Sequence, residues 1–417
     1  MQIGVIGLGG IGKMVAKDCA RAGYDVCGCD LPEKRSELEK QLQGMDIEIL
    51  KDGIAVARRS DLLFYCVPAE TIDKTVEYSG RSVKQGAIVS GQTSVKTPEV
   101  KAFEEYLPKD VNIVPCHSLH GPTVEPPART LAVIRHPQRS EKAYRAALNA
   151  FEALQSKIVE IPDYQTHDQI TADTQANTQT GFLSMATAWK NCRFYPWENQ
   201  AYVGGIDNVK ILMALRILAN EAHVYSGIAI LNPFARQQIG QYAQSETDLF
   251  KLIVTGKEKE FRERIEKAGE FVFSNNEAPI MLDDRVLGEF SLGNETQRKP
   301  NSHLSLLAMV DAWYQLGVNP YKNMICQTPL FRLRLGIVEY LFRNPELLEE
   351  SINAALFNKA IRGDDLEFHT AVREWATIVG HGDIQGYQEQ FNETKAFFRE
   401  RIPEGMRRSS ELIKRLA

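Results

Sequence analysis

Three side chains in this sequence are of types that could do chemistry together: Ser94, His117 and Arg216. His117 lies in Pro115-Cys-His117-Ser-Leu-His120-Gly-Pro122, directly after a short apolar run. An imidazole changes charge near working pH, as a base for a hydroxyl proton must. A packed, purely structural histidine is the other reading, and His120 is a second candidate for the base. Ser94, in Gly91-Gln-Thr-Ser94-Val-Lys96, offers a hydroxyl that could bond that imidazole or a substrate hydroxyl. Arg216 is the one cation in Ile211–Ala219, a stretch apolar on nearly every side. An unpaired buried guanidinium is costly, so Arg216 should meet an anion. That anion is either a protein carboxylate such as Glu221 or Asp207, or a substrate carboxylate gripped bidentately.

Chemistry of this kind needs a partner, and the first residues supply one. Ile3-Gly-Val-Ile-Gly7-Leu8-Gly9-Gly10-Ile11-Gly12 reads as strand, tight turn and helix start. Gly7 permits the turn, Gly9 lets backbone approach a pyrophosphate, and Gly12 lets helix and strand pack closely. The phosphates would lie at a helix N-terminus, where unpaired N–H groups favour negative charge. Asp30 ends the next strand, where a carboxylate accepts from a ribose 2′-hydroxyl and repels a 2′-phosphate, which favours NAD. Lys34 and Arg35 follow closely and could neutralise that phosphate, or simply form a solvated charged turn.

These groups need elements to position them. Ile3–Ile6, Asp25–Cys29, Leu62–Val67, Ala87–Ser90 and Asn112–Pro115 read as buried strands, separated by helical periods such as 12–22 with Met14, Val15 and Cys19 on one face. The expected fold class is therefore α/β: a Rossmann-type doubly wound parallel sheet over residues 1–162, followed by an all-helical domain over 163–417. Helical periods run over 167–190, 208–230, 236–254, 258–272, 303–316, 329–342 and 364–378. The polar stretch 291–302 reads as an exposed connection, and no internal repeat is expected.

Composition narrows the partners. Lys plus Arg number 49 against 54 Asp plus Glu, a net charge of −5, so no footprint for nucleic acid or an anionic membrane is expected. The seven cysteines show no metal-ligand spacing, and Cys27 and Cys29 read as packed thiols rather than a disulfide. No metal site is expected. With no signal peptide or apolar span in view, the expected location is cytoplasmic.

The motifs also resemble a known family. Thr93-Ser94-Val-Lys96 and His117-Ser118-Leu-His120-Gly121 are similar to paired segments of prephenate dehydrogenases, with Thr93 and Ser118 standing where a Gly and a Pro are usual, as in the fungal branch. Ile170-Thr-Ala-Asp-Thr-Gln175 and Asn301-Ser-His-Leu-Ser-Leu-Leu-Ala308 resemble the fungal enzymes of tyrosine biosynthesis, and the likeness covers nearly the whole chain. The resemblance implies that Ser94 and His117 are catalytic and that Arg216 is the substrate-binding arginine of the family's Thr-Arg-Ile helix, with Tyr225 matching a family aromatic. Lys210 is the candidate for a second carboxylate, and a solvated helix-start lysine is its rival. Gln179 stands where similar enzymes carry a histidine; its amide can bond substrate or pack structurally, but cannot titrate. The implied reaction is oxidative decarboxylation of prephenate, with NADP as cofactor (NAD possible) and Lys34 or Arg35 on its phosphate. The resemblance further implies a homodimer. Rival readings are an arogenate dehydrogenase, a hydroxy-acid dehydrogenase and a non-catalytic dinucleotide-binding redox sensor.

Overall fold

The computed structural model describes residues 1–122, 124–126, 129–274, 282, 284–293 and 298–416. The chain divides into two compact units, Met1–Thr171 and Ala172–Ala417, so the division falls inside a helical run rather than after residue 162.

The first unit holds a six-stranded parallel sheet in the order β3-β2-β1-β4-β5-β6. Its strands are β1 (Gln2–Ile6), β2 (Asp25–Cys29), β3 (Ile47–Ile49), β4 (Leu62–Tyr65), β5 (Ile88–Gly91) and β6 (Asn112–Ile113). Side chains alternate across a strand, so each strand feeds two cores. Ile3, Val5, Leu62 and Phe64 pack on one face with Val15, Ala147 and Phe151. Ile6, Leu63, Tyr65 and Val89 pack on the other with Val56, Val76 and Phe103. Burial on both faces explains the near-continuous apolar runs. The strand order reverses between β1 and β4, which opens the crevice where sheets of this type take dinucleotides.

The expected strand 112–115 is instead cut in two. Pro115 has no N–H for the ladder, and its carbonyl accepts from Ile134 N (2.9 Å), turning the chain into a second sheet. That sheet consists of β7 (Cys116–Ser118), β8 (Thr130–Ile134) and β9 (Lys157–Ile161), with β7 antiparallel and β9 parallel to β8. His117 is therefore the central residue of β7, not a residue just beyond the parallel sheet.

The second unit is helical throughout its described residues, around one large apolar core. Two expectations are corrected there. Asn301 and Ser302, read as part of an exposed connection, are buried: Asn301 Nδ2 donates to Ala201 O (2.8 Å) and Ser302 Oγ to Asp365 Oδ1 (2.7 Å). Residues 294–297 of that stretch lie outside the described residues. The second correction is that the unit does repeat. Asn177-Thr-Gln179 and Met185-Ala-Thr-Ala-Trp189 recur at the same spacing as Asn301-Ser-His303 and Met309-Val-Asp-Ala-Trp313. The same offset carries Lys210 to Arg334, and the start of helix Ala235–Val254 to that of Lys359–His381. Helix Thr178–Asn191 packs on Lys359–His381, its counterpart Leu304–Leu316 packs on Ala235–Val254, and the two long helices pack on each other. This exchange of partners is what two copies related by a twofold produce.

Candidate active site

The glycine loop has the geometry its spacing requires. Gly7 has φ +93°, and a Cβ there would lie 2.6 Å from Cys66 O, so only glycine makes this turn. A Cβ on Gly12 would lie 1.8 Å from Gly7 O, which fixes the helix against the strand. A Cβ on Gly9 would meet nothing within 4 Å, so the loop presents bare backbone on that side. Helix Gly10–Arg21 starts there without a side-chain cap, leaving its first N–H groups for an anion. Leu8 points into the core and Ile11 is half-buried, so their contribution to a dinucleotide is through backbone. At the end of β2, Asp30 Oδ1 accepts from Leu31 N (2.8 Å) and pairs with the Lys34 ammonium (3.3 Å). Lys34 thus offsets the charge that would repel a 2′-phosphate, while Arg35 pairs with Glu39 (2.9 Å) at the exposed rim. These residues fit a bound nicotinamide dinucleotide.

The loop after β5 is held by a buried ion pair. Lys96 and Glu99 are fully buried, 2.8 Å apart. Lys96 Nζ also donates to Gly91 O (3.0 Å) and Cys116 O (2.6 Å), tying the end of β5 to the residue before His117. Glu99 Oε2 accepts from Thr93 N (3.0 Å) and Thr93 Oγ1 (2.6 Å). Ser94 sits half-buried between these anchors. Removing one member of such a pair leaves a stranded charge, at a cost of about 3–5 kcal/mol.

His117 is buried, and its Nδ1 lies 2.9 Å from His167 Nε2. It is thus His167, rather than Ser94, that engages its ring. His167 Nδ1 lies 2.9 Å from Asp168 Oδ1. The Asp168 carboxylate also accepts from Lys96 N (2.8 Å) and Thr97 N (2.7 Å), capping helix Lys96–Tyr106, whose own N-cap Val95 has no polar side chain. The wiring sets the tautomers. A carboxylate only accepts, so His167 carries its proton on Nδ1 and turns a bare Nε2 to His117. His117 then donates from Nδ1, and its Nε2 lone pair is left to take a proton. Burial, then His167, Lys96 and His120, push its pKa well below 6.5, so the ring is neutral at working pH. His120 is itself lowered by burial, and its Nδ1 lies 3.0 Å from Gly121 O.

The remaining candidates belong to the second unit. Arg216 is half-buried, and its Nη1 donates to Ser410 Oγ (3.0 Å) and Ser409 Oγ (3.3 Å). Neither expected acid reaches it: Asp207 pairs with Lys210 (2.6 Å) and Glu221 with Lys395 (3.0 Å). Asn220 Nδ2 joins Arg216 to Tyr225, donating to the Arg216 carbonyl (3.1 Å) and the Tyr225 hydroxyl (2.7 Å). Lys210 is buried and faces elsewhere, donating to His303 Nδ1 (3.0 Å). Gln179 is buried with its Oε1 unpartnered. No cluster with metal-ligating potential occurs among the described residues, and all seven cysteines are free thiols.

Residues 15–133 match the family model for the nucleotide-binding domain of prephenate dehydrogenase, and residues 176–417 match one for a 6-phosphogluconate dehydrogenase C-terminal domain. A Saccharomyces cerevisiae protein named prephenate dehydrogenase (NADP(+)) is 46% identical over 99% of this chain and 93% of its own length. A Schizosaccharomyces pombe protein named probable prephenate dehydrogenase (NADP(+)) is 44% identical over 100% and 97%. The chain belongs to the prephenate dehydrogenase family. A crystal structure of prephenate dehydrogenase from A. aeolicus, in complex with hydroxyphenyl propionate and NAD+, covers 64% of this chain and 95% of its own, at 18% identity and a TM-score of 0.49.

Within a prephenate dehydrogenase frame, sequence reasoning missed His167, Asp168 and Glu99. The signal for the first two was a His-Asp pair opening the helical period, just ahead of Ile170-Thr-Ala-Asp-Thr-Gln175. Nothing in that period marked it as the partner of a strand residue 50 positions earlier.

Proposed function

We propose that this chain oxidatively decarboxylates prephenate to 4-hydroxyphenylpyruvate and carbon dioxide with NADP, as a step of tyrosine biosynthesis. The observation that carries the mechanism is the chain Asp168, His167, His117, which leaves the His117 Nε2 lone pair as the base. Bound NADP would supply the hydride acceptor, its pyrophosphate held on Gly7–Gly12 and its 2′-phosphate met by Lys34 or Arg35. His117 takes the proton of the ring hydroxyl as hydride leaves the same carbon. The carbonyl so formed draws in the electron pair of the carboxylate C–C bond; carbon dioxide departs, and the ring becomes aromatic as its oxygen regains a proton. Ser94 orients the hydroxyl, and Arg216 and Lys210 are the proposed carboxylate cations, with Gln179 and Tyr225 beside the substrate. His167 and Asp168 hold the tautomer and stabilise the imidazolium, the role an acidic partner plays behind any histidine base.

No helix among the described residues is long and apolar enough to cross a membrane. A cytoplasmic location and a homodimer are part of this proposal, and light scattering at twice the chain mass supports the dimer. The test of function is absorbance at 340 nm with prephenate or arogenate and with NADP or NAD. Prephenate with NADP should give the highest kcat/KM together with released carbon dioxide; arogenate as the better substrate, or no reduction with either, would reject the assignment.

A further inference from the structure

The repeat in the helical unit sets two buried cations in equivalent places, each reaching from one repeat onto the other. Lys210 meets His303 (3.0 Å), and Arg334 Nη1 meets Thr178 Oγ1 (2.8 Å). Each also has an acid beside it, Asp207 for Lys210 (2.6 Å) and Asp173 for Arg334 (3.2 Å). The surroundings then diverge. Lys210 lies in a corner with Asp207, Asp364 and Asp365. Arg334 is fully buried, with Nε on Met309 Sδ (3.2 Å) and its plane over Trp313 (4.8 Å), yet Nη2 has no partner. Asp173 does not depend on it alone, since Trp313 Nε1 (2.9 Å) and Asn323 Nδ2 (2.9 Å) also donate to that carboxylate.

Unpartnered atoms gather around this arginine. Thr174 Oγ1, Asn177 Oδ1 and Gln179 Oε1 are all buried without a hydrogen bond. They lie on the π-helical turn Ala172–Asn177 and the helix start that follows it, the segment on which Arg334 is anchored. A π-turn is a departure found mostly at functional sites, and a buried guanidinium N–H₂ beside several orphan oxygens is a site that expects a ligand. The ligand must present an anionic acceptor to Arg334 and a donor to the oxygens, that is, a carboxylate on a molecule also bearing a hydroxyl or amine.

We propose that Arg334, supplied by the second repeat, is a further substrate-binding residue that holds a substrate carboxylate on Nη2, with Gln179 and Asn177 accepting from the substrate's donor group. This rests on the dicarboxylate substrate proposed above. The experiment is steady-state kinetics and prephenate-induced thermal shift on full-length Arg334→Lys, Arg334→Met and Gln179→Glu. Arg334→Lys should raise KM for prephenate at least tenfold, Arg334→Met by more, and Gln179→Glu should do likewise by repulsion. KM for NADP should stay within twofold, and the thermal shift with prephenate should shrink in each variant. If Arg334→Met fails to fold, the other two decide. Unchanged prephenate KM and thermal shift in the folded variants would overturn the proposal. A wild-type protein that neither oxidises prephenate nor is shifted by it would reject the functional reading itself.

Discussion

Two buried histidines, His117 in the first unit and His303 in the second, share one electrostatic signature and differ in wiring. Both are driven well below 6.5, and in both burial is the largest cause, followed by neighbouring charge: His167 and Lys96 for one, Lys210 and Arg298 for the other. Behind His117 stands an acceptor chain, His167 to Asp168, which puts its proton on Nδ1 and frees Nε2. His303 has the reverse arrangement. Its Nδ1 lone pair accepts from the Lys210 ammonium, so its proton is on Nε2, which is buried without a partner. A lowered pKa therefore does not identify a base. The direction of the hydrogen-bond chain does, and only His117 is wired to receive a proton.

Variants that cut one chain and spare the other test this contrast. His117→Ala should lower turnover about 10³-fold while NADP binding, read by fluorescence titration, stays near wild type. Near-normal turnover would remove the base from the mechanism. Asp168→Asn presents an amide that can donate, which scrambles the His167 tautomer, and should lower kcat about 10- to 100-fold with little change in prephenate KM. The His303→Asn change should leave kcat within about threefold, since a lone pair already held by Lys210 does no proton transfer; a loss like that of His117→Ala would erase the distinction.

A smaller effect is on stability. For each histidine the folded pKa lies below the unfolded 6.5, so the unfolded chain binds more protons at acid pH. The stability these neutral rings contribute is present above about pH 6.5 and is lost as pH falls through their folded values. Asp365 has the opposite sign. Burial, aided by Glu246 and Asp364, raises it to about 7, so its contribution is present at low pH and lost as pH rises through 7. Thermal melts should show His303→Asn flattening the fall in Tm below pH 6.5, and Asp365→Asn gaining most over wild type at pH 8.

Much of the first unit was legible because its physics is local. The turn at Gly7, the tight pack at Gly12 and the alternation of Ile3 and Val5 with Gly4 and Ile6 depend on residues close in sequence. The second sheet was not, because β8 and β9 pair across long connections, and only Pro115 hinted that the chain would leave the first sheet. His117 could be picked out by type and position, whereas His167 and Asp168 act through contacts 50 and 72 residues away in sequence. The repeat was hidden because its matches are few and scattered among apolar residues that any packed helix carries. Arg334 was passed over for a similar reason: beside Arg332, it read as part of a mixed helix face.

The account turns on His117 accepting a proton in its neutral, relay-held form. The most direct measurement is the pH dependence of single-turnover NADPH formation from prephenate, in wild type and in His117→Ala. Wild type should hold its rate below pH 6.5 and lose it on an acid limb under that value, and the limb should vanish from the variant's residual rate. The same limb at the same pH in His117→Ala would show that another group is the base.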